Sequence, residues 1–148
     1  MQAYIPALVP LEEKLKGYAY PLLRFVAGAL LVPHGMQKIF GLWGGNIEGT
    51  AKFFANVGLE PSLQLAYLVG CTELIGGTLI AIGLFTRFAA AAAFIMLTVA
   101  WYTVHLKNGL FWTKGGIEYP LLWSLVMVVI LFRGSGKLSV DERLGKEL

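Results

Sequence analysis

Residues 18–40 read YAYPLLRFVAGALLVPHGMQKIF. At ~1.5 Å rise per residue, a helix over this run can cross the ~30 Å hydrocarbon core of a bilayer. Yet the run holds Arg24, His34 and Lys38. On a helix, Arg24, Ala27, Gly28, Leu31, His34, Gly35 and Lys38 share one stripe. Ionisable groups are costly in lipid and turn toward protein or a wet cavity. The stretch therefore predicts a membrane-spanning helix whose polar stripe faces other helices.

The composition agrees. The chain has 148 residues, 57% of them hydrophobic and only 14% charged, with mean hydropathy +0.67. Soluble domains carry roughly 25% charged residues, so the deficit points to a multi-span membrane protein. The net charge of +3 comes without a basic stripe, which excludes a nucleic-acid partner. Cys71 is the only cysteine, so neither an intrachain disulfide nor a CxxC redox or zinc pair is available. There is no phosphate loop, nucleophile elbow or dinucleotide fingerprint, and no signal-peptide pattern at the start.

Working outward, three more apolar segments follow: Pro61 to Phe85, Phe88 to Leu106, and the shorter Ile117 to Phe132. The expected fold is all-α, an integral membrane four-helix bundle with short interfacial helices in the outer loops. Residues 1–17 are expected to form an N-terminal interfacial segment, with a short surface helix starting at Pro10. Residues 18–133 form the four-span domain, and 134–148 a polar cytoplasmic tail. With an even number of spans, both termini share one side. That side holds Lys14, Lys16, Arg87, Arg133, Lys137, Arg143 and Lys146; the other holds Lys38, Lys52, Lys107 and Lys114. This bias places both termini in the cytoplasm and the chain in the cell membrane. Thr86–Arg87 is a tight turn. Ile47 to Val57 predicts an amphipathic helix lying in the interface.

Candidate site residues come from every span. Glu73 shares its face with Ala66, Gly70, Gly77 and Ala81, which lets another helix approach and turns the carboxylate inward. Arg24 either snorkels to head groups or reaches toward Glu73. Lys38 is an interfacial anchor or the mouth of a polar pocket. His34, too short to snorkel, is the strongest single candidate. His105 closes the third span. Glu118, just before Pro120, either caps the fourth helix or joins His34, Lys38 and His105 in a pocket. Trp43, Phe53, Phe54, Phe111 and Trp112 would roof that pocket.

Imidazole and carboxylate groups can exchange protons with the oxygens of a quinone head group, while an apolar gap takes its tail. A quinone is therefore the expected ligand. Haem is not expected, because His34 and His105 differ in depth by roughly 9 Å. The spacing of His34, His105 and Glu118 is not that of a recognisable metal site. A non-catalytic anchor or assembly subunit of a larger redox complex, or a homo-oligomer, is the alternative. A proton or small-solute pathway along Arg24, Glu73 and His34 is a third reading.

The blocks LLRFVAGALLVPHGMQKIFG (22–41), FFANVGLEP (53–61), GCTELIGGTLIAIGLFTRFAA (70–90), NGLFWTKGGIEYPLL (108–122) and GSGKLSVDERLG (134–145) occur in this order. Together they resemble the DoxX family of small four-span membrane proteins. The resemblance implies a four-helix membrane bundle and an association with quinol oxidase or thiosulfate:quinone oxidoreduction. It also brings in relatives linked to thiol-oxidative stress, to quinone and catechol resistance, and to receptor assembly. Arg24, His34, Lys38, Glu73, Arg87, Glu118 and Tyr119 match the family pattern, with no assigned catalytic role to carry over.

Overall fold

The computed structural model describes residues 4–147. Residues 1–3 of the expected N-terminal segment and residue 148 of the tail lie outside the described residues. The helices are α1 (Val9–Phe40), α2 (Ile47–Asn56), α3 (Ser62–Cys71), α4 (Gly77–Ile82), α5 (Thr86–Ala100), α6 (Glu118–Arg133) and α7 (Val140–Leu144). Among the described residues there is no strand. A π turn over Thr72–Gly76 joins α3 to α4 in one rod. A second π turn, Trp101–His105, prolongs α5. Three rods, Pro6–Phe40, Ser62–Ile82 and Thr86–Asn108, are long and apolar enough to cross a membrane. The fourth member, α6, has 16 residues and spans only about 24 Å. The loops on either side of α2 and between His105 and Glu118 lie at one end, here the loop end. The start of α1 and the described residues after α6 lie at the other, the terminal end.

The first rod and the second cross antiparallel with almost nothing between their backbones. A methyl added at Gly28 would stand 2.5 Å from both Ala81 N and Gly77 O. One added at Gly77 would stand 2.8 Å from Gly28 O, and one at Gly35 would run into Leu74 N and Gly70 O. In lipid, where no hydrophobic drive gathers helices, such close approach supplies the packing energy. Beside this crossing, Leu31, Ile80, Ala89, Ala90, Ala93, Met127 and Ile130 form the core. The alanine run of α5 lets α6 lie close. Trp123 Nε1 donates to Ala27 O at 3.3 Å and ties α6 to α1.

Two expectations change. No separate surface helix starts at Pro10: that residue lies in the first turn of α1, which runs without a break into the span. Gly17 fails to stop it because one helical glycine costs only about 1 kcal/mol. The tight turn expected at Thr86–Arg87 falls instead at residues 83–85, because Gly83 takes the left-handed conformation that ends α4 and Thr86 already opens α5. The tail folds as a cover on the terminal end. Asp141, 3% exposed, accepts from Phe85 N, Thr86 N and Thr86 Oγ1 at 3.0–3.2 Å. It thereby satisfies the first free N–H groups of α5. Tyr20 donates to Gly134 O, and Arg133 sits 4.4 Å over the Tyr20 ring. Arg87 donates to Leu131 O at 2.8 Å and reaches Glu147. Hydrogen bonding from Ser135 N, helped by Arg87, holds the Glu147 carboxyl below the usual carboxylate range.

Gly28→Ala and Gly17→Ala should move stability in opposite directions. The first wedges the crossing and should cost at least about 2 kcal/mol. The second meets nothing within 4 Å and should gain about 0.5 kcal/mol. Thermal midpoints in detergent read both. Asp141→Ala should cost about 2 kcal/mol and speed tryptic cleavage after Lys137.

Candidate functional site

A groove of about 630 Å³ lies between α3 and α5, beneath α2. Its walls are almost wholly apolar: Leu65, Leu68 and Val69 on one side, Ile95, Met96 and Val99 on the other, with Phe53 and Phe54 of α2 as a roof. Leu68, Ile95 and Val99 are exposed, so the groove opens sideways from the bundle. Three ionisable side chains reach it: Lys38, Glu73 and His105. The size suits a small organic ligand, for which sites commonly fall between about 300 and 1,000 Å³.

Lys38 and Glu73 form an ion pair across the crossing. Lys38 Nζ stands 2.7 Å from Glu73 Oε2 and 2.9 Å from Oε1, and their side chains are only 18% and 11% exposed. A third, longer contact of 3.5 Å runs from Nζ to His34 O. The pair follows from helix direction. A helical Cα–Cβ bond tilts toward the helix N-terminus. Lys38, at the loop end of α1, is thus aimed into the bundle, while Glu73, on the antiparallel rod, is aimed toward the loop end. Each side chain leans toward the other. The glycines at 35 and 70 bring the backbones close enough for them to meet.

His105 closes the second π turn. Its Nδ1 lies 2.7 Å from Gly115 O, and Asn108 Nδ2 donates to the same oxygen at 3.1 Å. A carbonyl only accepts, so Nδ1 carries a hydrogen, and in the neutral imidazole Nε2 is then the acceptor. Glu73 and His105 both stand on π turns. Such turns shift side chains out of the ordinary helical register and recur at functional sites.

The other sequence candidates stand elsewhere. Arg24, 2% exposed, points toward the terminal end and donates to Leu138 O at 2.9 Å; it does not reach Glu73. The same Cβ tilt that sends Lys38 inward sends Arg24 outward, and the tail receives it. His34 is exposed on the α6 side of α1, with its ring 6.5 Å from that of Trp123 in an edge-on arrangement. Glu118 is exposed and accepts from Trp112 N at 3.1 Å, so it braces the loop before α6. Of the expected roof, Phe53 and Phe54 cover the groove, whereas Trp112 meets Tyr119 edge-on at 5.4 Å. Among the described residues, no three His, Cys, Asp or Glu side chains are grouped to hold a metal ion. The Lys38–Glu73 pairing escaped the sequence reading, although matched seven-residue glycine spacings, 28/35 and 70/77, carried its register.

Comparison with known proteins supplies the wider setting. The DoxX family model matches residues 20–106. The chain is 36% identical to a Bacillus subtilis protein named "Putative oxidoreductase CatD", over 81% of this chain and 82% of that one. It is 29% identical to a Haemophilus influenzae protein, covering 88% and 85% of the two chains. It is 26% identical to the "Uncharacterized membrane protein Rv3486" of Mycobacterium tuberculosis, over 84% and 80%. No solved structure gave a significant match.

Lys38→Met alone leaves Glu73 buried without its partner and should cost about 3 kcal/mol or more. Lys38→Met combined with Glu73→Leu should recover most of that loss. A double-mutant cycle on thermal midpoints in detergent gives the coupling; additive losses would show that the two side chains stand independently.

Proposed function

The chain belongs to the DoxX family of membrane proteins, and from that premise we propose that it serves quinone- or quinol-linked redox chemistry by holding a quinone-like ligand in the groove between α3 and α5. One observation carries this reading: a largely apolar groove of ligand size whose ionisable groups are confined to one ion pair and one imidazole. The name of the Bacillus subtilis relative supports a redox association. In this reading the isoprenoid or alkyl tail lies along Leu68, Ile95 and Val99, and the ring sits toward Lys38 and His105.

The polar groups divide the work. Lys38 spends two hydrogens on Glu73 and places the third in a weak contact with His34 O. A ligand carbonyl takes that third hydrogen. His105 Nε2, left as an acceptor by the Gly115 contact, takes the hydroxyl hydrogen of a reduced ring. Burial of the ring excludes water and strengthens both contacts. A quinone supplies the electron-carrying chemistry when bound; the chain supplies position and hydrogen bonding.

The exposed His34 favours a second reading, an anchor or assembly subunit. An imidazole on an outward face of a spanning helix is costly in lipid and suits a polar group on a neighbouring subunit. His34→Leu should leave the isolated protein as stable as before and release it from its native complex.

A short-tailed quinone added in detergent tests the main reading. At a concentration about 100-fold above its Kd, binding adds about 2.7 kcal/mol, a rise of roughly 5 °C or more in thermal midpoint for a chain of this size. Ile95→Trp, which fills the groove, should abolish the rise; His34→Ala should not. Absence of any rise at saturation with several quinones and quinols would overturn the reading.

A further inference from the structure

A second cavity, of about 370 Å³, meets the first at Lys38. It lies under the turn between α1 and α2 and is lined by Gln37, Gly45, Asn46 and Thr50, as well as by Lys38, Phe53 and Phe54. The last three line the membrane groove too. The two spaces differ in kind. The groove is walled by aliphatic side chains and opens sideways. The second cavity is lined by amides, a hydroxyl and glycine backbone, and sits at the loop end, among the connections that face water. Lys38 is the only charged residue common to both.

We propose that this second cavity is an aqueous vestibule, and that the Lys38–Glu73 pair is the junction through which protons pass between a ligand in the groove and water on the loop side. The proposal rests on the groove reading for the identity of the ligand, but not for the vestibule itself. Three features carry it. The ion pair is mostly buried, and a buried pair in a membrane protein calls for a route to water if its proton occupancy is to change. Asn46 Oδ1 is engaged by Gly49 N, and Thr50 Oγ1 donates to Asn46 O at 3.0 Å. These bonds hold α2 by its first turn, so the vestibule wall is fixed. Gln37, one residue from Lys38, offers an amide that can hydrogen-bond water next to the ammonium.

The chemistry is a proton exchange only. Glu73 accepts a hydrogen given up by the ligand hydroxyl, with Lys38 holding the carboxylate in place. Lys38, which lines both spaces, then gives a proton from its ammonium to a water in the vestibule and takes the hydrogen from Glu73, which restores the ammonium–carboxylate pair. The reverse sequence delivers a proton from the loop side to a ligand oxygen. Phe53 and Phe54 separate the two spaces elsewhere, so the traffic has one crossing point.

Substituted-cysteine labelling of the full chain in sealed liposomes tests this. Cys71→Ser removes the only native thiol. In that background, Glu73→Cys and Lys38→Cys should each react with a charged, membrane-impermeant methanethiosulfonate added on the loop side. Thr50→Trp, which plugs the vestibule, should slow both reactions at least tenfold. Ile95→Cys, which faces only the groove, should react with an uncharged maleimide and not with the charged reagent. Using both partners of the pair guards against one variant being misfolded. Reaction of Glu73→Cys and Lys38→Cys with the uncharged reagent alone, or rates untouched by Thr50→Trp, would overturn the vestibule. Either result stands whether or not quinone binds, so failure here and failure of the groove reading are told apart.

Discussion

The contact on which this molecule depends is backbone against backbone: Gly28 and Gly35 of the first rod on Gly70, Gly77 and Ala81 of the second. Glycine costs helix stability in water, but here the lost side chains become interhelical proximity. The two helices are antiparallel, and their glycines are spaced seven apart on each. Register is therefore fixed at two points, and everything between them is fixed too. Glu73 falls between Gly70 and Gly77; Lys38 falls one residue short of a turn beyond Gly35. With the backbones in contact, neither side chain has to stretch. A larger residue at Gly35 or Gly70 would part the rods beside the ion pair, and one at Gly28 or Gly77 would part them beside the core around Leu31 and Ile80.

Helix polarity then sorts the charges. Arg24 and Lys38 lie on the same stripe of the same helix, and sequence spacing alone treats them alike. Their side chains lean the same way, toward the α1 N-terminus. For Arg24 that direction leads out of the membrane, to Leu138 O in the tail. For Lys38 it leads into the bundle, to a carboxylate leaning the opposite way. The tail completes the arrangement at the terminal end, where Asp141 caps α5 and Tyr20 bonds Gly134 O. Folding at the two ends is thus governed by one geometric rule applied to two basic residues.

Much of this was legible in the residues. Apolar runs and their lengths gave the helical membrane bundle and the interfacial helix now seen as α2, and placed the tight turn between the second and third spans a few residues late. The small face around Glu73 correctly turned that carboxylate inward. Other features depended on information that periodicity does not carry. Both π turns change which way Glu73 and His105 face, and no propensity pattern marks an inserted residue in a helix. His34 belongs to the polar stripe by angle, but the stripe is wide, and its edge faces Trp123 rather than the groove. Glu118 followed its helix-start environment and braces Trp112 N. The tail reads as polar because its buried groups are Ser135, Ser139 and Asp141, whose partners, from Gly136 O to Thr86 and Glu147, composition cannot reveal.

The ion pair poses a question that packing alone does not answer. Replacing a buried pair by aliphatic residues of similar size is often neutral or stabilising, and in this bundle two leucines would fill the same space. The groove beside the pair is already apolar along most of its length. Aliphatic substitutes would make it uniform, able to hold a tail but not to orient a ring. A closed ammonium–carboxylate pair introduces direction at no net charge, so the membrane carries a strong dipole rather than an ion. Its donor can be shared with a ligand oxygen, and its acceptor can take a proton without leaving an isolated charge behind. The free Nε2 of His105 adds the complementary acceptor on the facing rod. The ion pair is placed where the two cavities adjoin. That placement is what chemistry at a boundary between lipid and water requires, and a purely structural staple would not need it.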